Sequence, residues 1–270
     1  MKKSISAIAK PISFIINQSL EMGRVPDFIK IAKVVPIFKN GLKSDITSYR
    51  PISVLPSFSK VYEKVVSKRL NSFCMKNNII NEFQCRFRPH HSTHMALLHL
   101  YDRLTEAIEA NEFTVGVFVD LQKAFDTIDH GILLKKLEHY GMRGVALEWI
   151  KCYLTNRKQC VKLNGVSSSY KCIECGVPQG SILGPLLFIV YINDIQNCSN
   201  VLQFILFADD TNIIASDKNW IHLENKLNTE LSKLTAWFNS NKLPLNVKRL
   251  IIWCSGQKKK QLNHNDLNIN

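Results

Sequence analysis

Three aspartates in this sequence sit where carboxylates are costly. Asp209 and Asp210 fall between two apolar runs, residues 201–207 and 213–215 of VLQFILFADDTNIIAS, and Asp120 closes the run FTVGVFVD. Strand formers on either side of a short polar connection predict two antiparallel strands joined by a tight turn. A solvated turn in which Asp simply suits the backbone is the plain alternative. If the strand ending at Asp120 lies beside that hairpin, three carboxylates converge on one sheet edge. Like charges in such proximity raise each other's pKa unless a cation sits between them, and hard divalent cations take oxygen ligands of this kind. Two such ions about 3.5–4 Å apart suit phosphoryl transfer. One would lower the pKa of a primer 3′-hydroxyl and orient it; the other would hold a triphosphate and take up charge on the leaving pyrophosphate. Electrostatics and positioning carry such a reaction, so no covalent nucleophile is needed. The expected chemistry is nucleotide polymerisation.

Other stretches carry weaker signals. GVPQGS, residues 176–181, is a tight loop whose glycines let backbone approach a flat ligand, and an apolar helix is expected behind it from Pro185. Residues 39–50 form a polar loop with Lys39, Lys43 and Arg50, and residues 82–93, EFQCRFRPHHST, form a basic loop with two aromatics. Cys172 and Cys175 make one CxxC without a second pair at ligand spacing, and His90, His91 and His94 have no cysteine partners nearby. Buried thiols and a helix-start histidine group explain them better than zinc.

The elements that must position these residues follow from periodicity. Helices are expected over residues 5–22, kinked or delayed by Pro11; from Ser57 with the stripe Val61, Val65, Val66, Leu70 and Phe73; from Ser92 with Leu97, Tyr101, Leu104 and Ile108; and from Trp220 with Leu223, Leu227, Leu231, Leu234 and Trp237. Strands are expected at residues 31–38, an edge strand by its Pro36, and at 113–119, with a hairpin turning at Asn164-Gly165. Antiparallel-looking strands without regular β-α alternation favour an α+β fold. The chain has 270 residues, 46% hydrophobic and 21% charged, which fits a globular protein, and its net charge of +13 calls for a polyanionic partner. No apolar run approaches the ~20 residues a bilayer requires, and Lys10 and Pro11 interrupt the start MKKSISAIAKPISF before any cleavage site. The expectation is an intracellular protein, in nucleus or cytoplasm and not secreted, with reduced thiols.

Taken in order, IAKVVPIFKNG, SYRPISVLPSFSKVYEK, RFRPHHSTHMAL, FVDLQKAFDTIDH, GVPQGSILGPLLF, FADDT and NKLPLNV resemble the reverse transcriptase of non-LTR (LINE or jockey-type) retrotransposons, from about residue 11 to 255. The resemblance implies right-hand polymerase fingers and palm, with an antiparallel palm sheet flanked by helices and the thumb missing. Residues 1–22 would be a helical extension, 23–256 the fingers/palm domain and 257–270 a basic, Asn-rich tail. It implies an RNA-directed DNA polymerase using two Mg²⁺ ions, with Mn²⁺ able to substitute, on an RNA template, a DNA primer and deoxynucleoside triphosphates. Asp120 and Asp209 would be the principal metal ligands and Asp210 would complete the acidic group. Leu121 would offer backbone to the triphosphate, and Phe125 would lie under the sugar and exclude a 2′-hydroxyl. Gln179 and Gly180 would border the nascent base pair, and Arg50 and Lys43 would reach the triphosphate; Asp126 would be structural. The chain departs from the family where Arg86 replaces a usual Gly, a cost on the order of 1 kcal/mol if that backbone needs positive φ. It departs again where Arg249-Leu250 replaces Lys-Thr, Arg being a poor proton donor and the adjacent Lys248 facing the other way on a strand. Those departures and the missing thumb keep open a second reading, a catalytically dead, truncated remnant that only binds nucleic acid. An RNA-templated RNA polymerase would need a smaller or hydrogen-bonding residue in place of Phe125.

Overall fold

The structure is a computed structural model describing residues 2–88, 91–246 and 251–255. In chain order the elements are α1 (Lys2–Met22), β1 (Ile31–Phe38), β2 (Tyr49–Val54), α2 (Ser57–Lys76), α3 (Thr93–Glu109), β3 (Phe113–Val119), α4 (His130–His139), α5 (Val145–Leu154), β4 (Arg157–Leu163), β5 (Val166–Ser167), β6 (Lys171–Ile173), α6 (Gly184–Ile192), β7 (Gln203–Phe207), β8 (Asp210–Asp217), α7 (Trp220–Ser240) and β9 (Ile251–Ser255). The fold is α+β, as the mixed pattern predicted. His90, Lys248, Arg249, Leu250 and the tail at 257–270 lie outside the described residues. Among those described, no helix is long and apolar enough to cross a membrane.

The chain divides into two compact units, each assembled from two separate stretches. One unit takes residues 1–79 and 128–190. Its sheet runs β2-β1-β4-β5, with β6 also on β4, and β1 meets β4 in parallel. The expectation that Pro36 marks an edge strand holds at Pro36 itself but not along the whole of β1. Lys33 and Val34 are flanked on both sides, by β4 and β2, whereas Pro36 lies beyond β4 and faces Pro51. Two opposed prolines bring no N–H, so they fit only a non-hydrogen-bonded pair. The Asn164-Gly165 hairpin forms as expected, both residues at positive φ (47° and 84°), as a two-residue I′ turn demands. Helix α1 runs through Pro11 and docks its C-terminal end on α5, where the Trp149 indole N–H donates to Ser19 Oγ at 3.1 Å.

The other unit takes residues 80–127 and 191–270, and its sheet is wholly antiparallel in the order β7-β8-β3-β9. Its interior strands bury Val115, Val117, Val119, Ile213 and Ala215, and α7 contributes Leu223, Leu227, Leu231 and Leu234. Phe238 rather than Trp237 continues that stripe into the core. Helix α3 departs further from expectation: Leu97, Tyr101 and Ile108 are exposed, and the small Ala107 is what it buries.

Candidate active site

The two aspartates of the hairpin sit at a two-residue turn. Phe207 pairs with Asp210, leaving Ala208 and Asp209 as the central residues. Ala208 stands at φ 58°, where a hairpin turn usually has glycine. The β3–β8 register ends at Val119 opposite Thr211, so Asp120 emerges beside Asp210. Juxtaposition of all three aspartates at one end of one sheet is therefore a consequence of register, as expected from sequence.

Asp120 is tied down from a second direction. Its carboxylate accepts from the Asn246 amide at 3.0 Å, and its carbonyl accepts the Asn246 N–H at 3.0 Å. Leu121 pairs with Leu245 in an isolated antiparallel bridge, and the Gln122 N–H donates to the Pro244 carbonyl at 3.0 Å. The stretch at 244–246 thus holds the backbone on which Asp120 and Leu121 stand. Phe125 follows in a turn closed by the Asp126 N–H onto the Lys123 carbonyl at 2.7 Å, and its ring is half-buried.

Electrostatics at this sheet end are in conflict. The Asp210 carboxyl is pushed above the ordinary aspartate range, first by partial desolvation and then by the charges of Asp209 and Asp120, with Arg86 opposing. Among the described residues no three His, Cys, Asp or Glu side chains are gathered closely enough to hold an ion. Oxygen-only donors whose mutual repulsion Arg86 only partly offsets nevertheless fit a hard divalent cation in their chemistry. A raised carboxyl destabilises the fold once ionised: its contribution is most favourable below the ordinary aspartate pKa and is lost as pH rises through the raised value. Asp210→Asn is therefore expected to raise the melting temperature of the metal-free chain at neutral pH, and Mg²⁺ should raise that of the native chain more than that of the variant. Thermal melts with chelator or Mg²⁺ check both signs; an Asn variant less stable without metal would refute the conflict.

In the other unit, the Gln179–Gly180 loop is docked on the edge strand β2. The Ser53 N–H donates to the Gln179 carbonyl at 2.7 Å. Gly180 has φ 113°, and a Cβ there would lie 2.8 Å from the Ser53 carbonyl oxygen, so backbone contact requires glycine. Arg50 is exposed three residues before Ser53 on the same strand, and Lys43 is exposed in the β1–β2 loop, where its carbonyl accepts the Tyr49 hydroxyl at 2.8 Å. Four of the expected nucleotide contacts are thus gathered around β2, while Leu121 and Phe125 accompany the aspartates in their own unit.

Sequence reasoning missed what holds this loop. Glu63 on α2, outside the apolar stripe expected for that helix, is fully buried, with Ser59, Tyr62, Val66, Leu70 and Cys74 the other buried positions of α2. Its carboxylate accepts from the Ile182 N–H at 2.7 Å, the Tyr153 hydroxyl at 2.8 Å and the Ser59 hydroxyl at 3.2 Å. Arg157, also buried, lies with its guanidinium 4.7 Å from the Tyr153 ring centroid and donates to the Tyr153 carbonyl at 3.2 Å.

A family model described as reverse transcriptase (RNA-dependent DNA polymerase) matches residues 37–263. The chain belongs to the reverse transcriptase family. It is 32% identical over 246 residues to the RNA-directed DNA polymerase from mobile element jockey of Drosophila melanogaster, covering 88% of this chain and 27% of that one. It is 31% identical over 258 residues to the probable RNA-directed DNA polymerase from transposon BS of the same species, covering 90% and 28%. The chain thus spans only about a quarter of the length of these relatives. The jockey-type resemblance of the motifs is borne out. Among solved structures, telomerase from Candida albicans aligns at TM-score 0.61 and 14% identity, over 88% of this chain and 44% of that one, which shows a shared fold.

One family departure acquires a different physical meaning. Arg86 does not occupy positive φ; its neighbour Phe87 does, at 58°. The expected strain is therefore not at the substituted position. Arg86 instead places its guanidinium 4.9 Å from the Phe207 ring centroid and 5.0 Å from that of Phe87. These are cation–π distances.

Proposed function

We propose that this reverse transcriptase chain is the fingers and palm of an RNA-directed DNA polymerase of a mobile element, working inside the cell on an RNA template and a DNA primer. The observation that carries the reading is the β3–β8 register, which sets Asp120 beside the Asp209-Asp210 turn. Asp120, Asp209 and Asp210 would hold two Mg²⁺ ions, for which Mn²⁺ could substitute. When bound, these ions supply Lewis acidity and charge neutralisation at the reacting phosphate. The primer 3′-oxygen gives its proton to solvent water and bonds to the α-phosphorus as the bond from that phosphorus to the α–β bridging oxygen breaks, releasing pyrophosphate. Arg50, and Lys43 with it, bind triphosphate oxygens, for which the guanidinium fork is well shaped. The Leu121 backbone supports the same triphosphate, and Gln179 and Gly180 border the new base pair. The Phe125 ring lies under the sugar and leaves no room for a 2′-hydroxyl.

Primer extension on an RNA template tests this. Folded protein with Mg²⁺ should add templated deoxynucleotides and stop when the ion is chelated. Phe125→Val should raise ribonucleotide incorporation relative to deoxynucleotide by roughly 10–100-fold, a difference of about 1.4–2.7 kcal/mol in transition-state discrimination. Absence of extension by folded, RNA-binding protein would leave the chain a nucleic-acid-binding remnant.

A further inference from the structure

We propose that Gln84 is the positioning residue of the catalytic turn. Its side-chain oxygen fixes the peptide from which Asp209 and Asp210 project. The inference rests on the polymerase reading for its consequence but not for its geometry.

Gln84 is only 1% exposed, although it belongs to a segment that reads as a basic loop. Its Oε1 accepts two backbone donors, the Ala208 N–H at 3.1 Å and the Arg86 N–H at 3.1 Å. Two N–H groups converging on one atom require it to be the amide oxygen, which fixes the orientation of the amide. The surrounding backbone reinforces the contact. Gln84 pairs in parallel with Leu206, the Cys85 N–H donates to the Leu206 carbonyl at 2.8 Å, and the Leu206 N–H donates to the Phe83 carbonyl at 3.0 Å. Residues 83–85 therefore extend the sheet past β7, the strand that leads into the turn.

The turn has particular need of such a partner. The Ala208 N–H belongs to the first central residue, whose amide takes no part in the hairpin's own ladder, and Ala208 is 1% exposed, so water cannot replace a lost acceptor. Ala208 also holds a left-handed φ of 58° that an L-residue with a side chain resists. An acceptor fixed opposite its N–H selects that peptide orientation over the relaxed one. Since Asp209 and Asp210 follow directly, rotation of the Ala208 peptide would re-aim both carboxylates. Gln84 thus acts on the acidic group through backbone, without touching it.

Gln84→Met keeps length and apolar volume and removes the acceptor; Gln84→Glu keeps acceptor oxygens. Amide hydrogen exchange on the metal-free chain reads the contact directly. Ala208 should exchange at least about 10-fold faster in Gln84→Met while Ile213 and Ile214 change less than about 2-fold, and Gln84→Glu should keep Ala208 protected. On the same proteins, Mn²⁺ affinity measured by electron paramagnetic resonance should fall about 5-fold or more in Gln84→Met. Extension should lose kcat about 10-fold with deoxynucleotide KM within about 2-fold. A role in packing alone predicts instead uniform loss of protection along β7 and β8, with unchanged Mn²⁺ affinity in the protein that remains folded. That result, or unaltered Ala208 exchange in folded Gln84→Met, overturns the proposal. If Gln84→Met does not fold, the native chain decides: protection of Ala208 comparable with Leu206 supports the proposal, and rapid exchange at Ala208 overturns it. Native protein that shows Ala208 protected but binds no Mn²⁺ would retain the positioning contact and refute the polymerase reading.

Discussion

Asp209→Asn is expected to reduce metal-dependent primer extension by at least about 10³-fold, a loss of roughly 4 kcal/mol of transition-state stabilisation, with RNA binding and melting temperature preserved. Asn keeps the size of the side chain and its tolerance of a tight turn, so the Ala208–Asp209 geometry persists. What it removes is one of the three negative charges brought to this sheet end. Asp120→Asn should match it, because an Asn oxygen can still accept from Asn246, leaving charge as the main difference. Asp210→Asn should be milder, about 10-fold, since ionisation of Asp210 is already opposed, first by partial desolvation and then by the charges of Asp209 and Asp120. Steady-state extension at several Mg²⁺ and Mn²⁺ concentrations measures all three. Retention of more than a tenth of native activity in folded Asp209→Asn would remove it from the reacting centre. Equal losses at Asp209 and Asp210 would instead make the two ligands equivalent.

The part of this arrangement legible in sequence is the part written in local pattern. FTVGVFV and the runs around Asp209-Asp210 announce strands because burial on both faces leaves continuous apolar residues with no polar alternation. The hairpin and the end of β3 then bring the aspartates together without further information. Contacts between residues distant in sequence leave no such trace. Gln84 lies 124 residues from Ala208, and Glu63 lies 119 residues from Ile182. Both are polar residues whose burial depends on a partner supplied elsewhere, so a reading of apolar periodicity assigns them to solvent. The stripe expected on α2 holds in part for that reason: Val66 and Leu70 are buried, Val61 is exposed, and the core face also contains Ser59, Tyr62 and Glu63. On α3 the error runs the other way, with Leu97, Tyr101 and Ile108 correctly spaced but exposed. Spacing establishes that residues share a helix face, and the fold decides what, if anything, covers it.

Glu63→Ala should produce a large loss of stability, about 3–5 kcal/mol, because it removes a fully buried carboxylate that accepts from three donors. Glu63 and Arg157 are both buried and flank Tyr153, whose phenol is held neutral, mainly by burial and next by the Glu63 charge, and so serves as a donor. Truncation would leave the Tyr153 hydroxyl and the Ile182 N–H without their acceptor. Against a total stability of about 5–15 kcal/mol for a folded chain, such a loss is a large fraction. At roughly 2–4 °C per kcal/mol for chains of this order of size, the melting temperature should fall by about 10 °C. Glu63→Gln separates charge from shape. One amide oxygen can still accept from Tyr153, but the amide nitrogen cannot accept the Ile182 N–H. The loop behind Gln179 should loosen with less cost to the core, seen as faster Ile182 exchange and a higher deoxynucleotide KM at nearly unchanged kcat. A double-mutant cycle with Tyr153→Phe isolates the Glu63–Tyr153 bond from the rest. A melting temperature unmoved by Glu63→Ala would mean that the carboxylate gains from its partners only what desolvation costs it. The anchoring of the Gln179–Gly180 loop would then fall to the Ser53 hydrogen bond and the missing Cβ of Gly180.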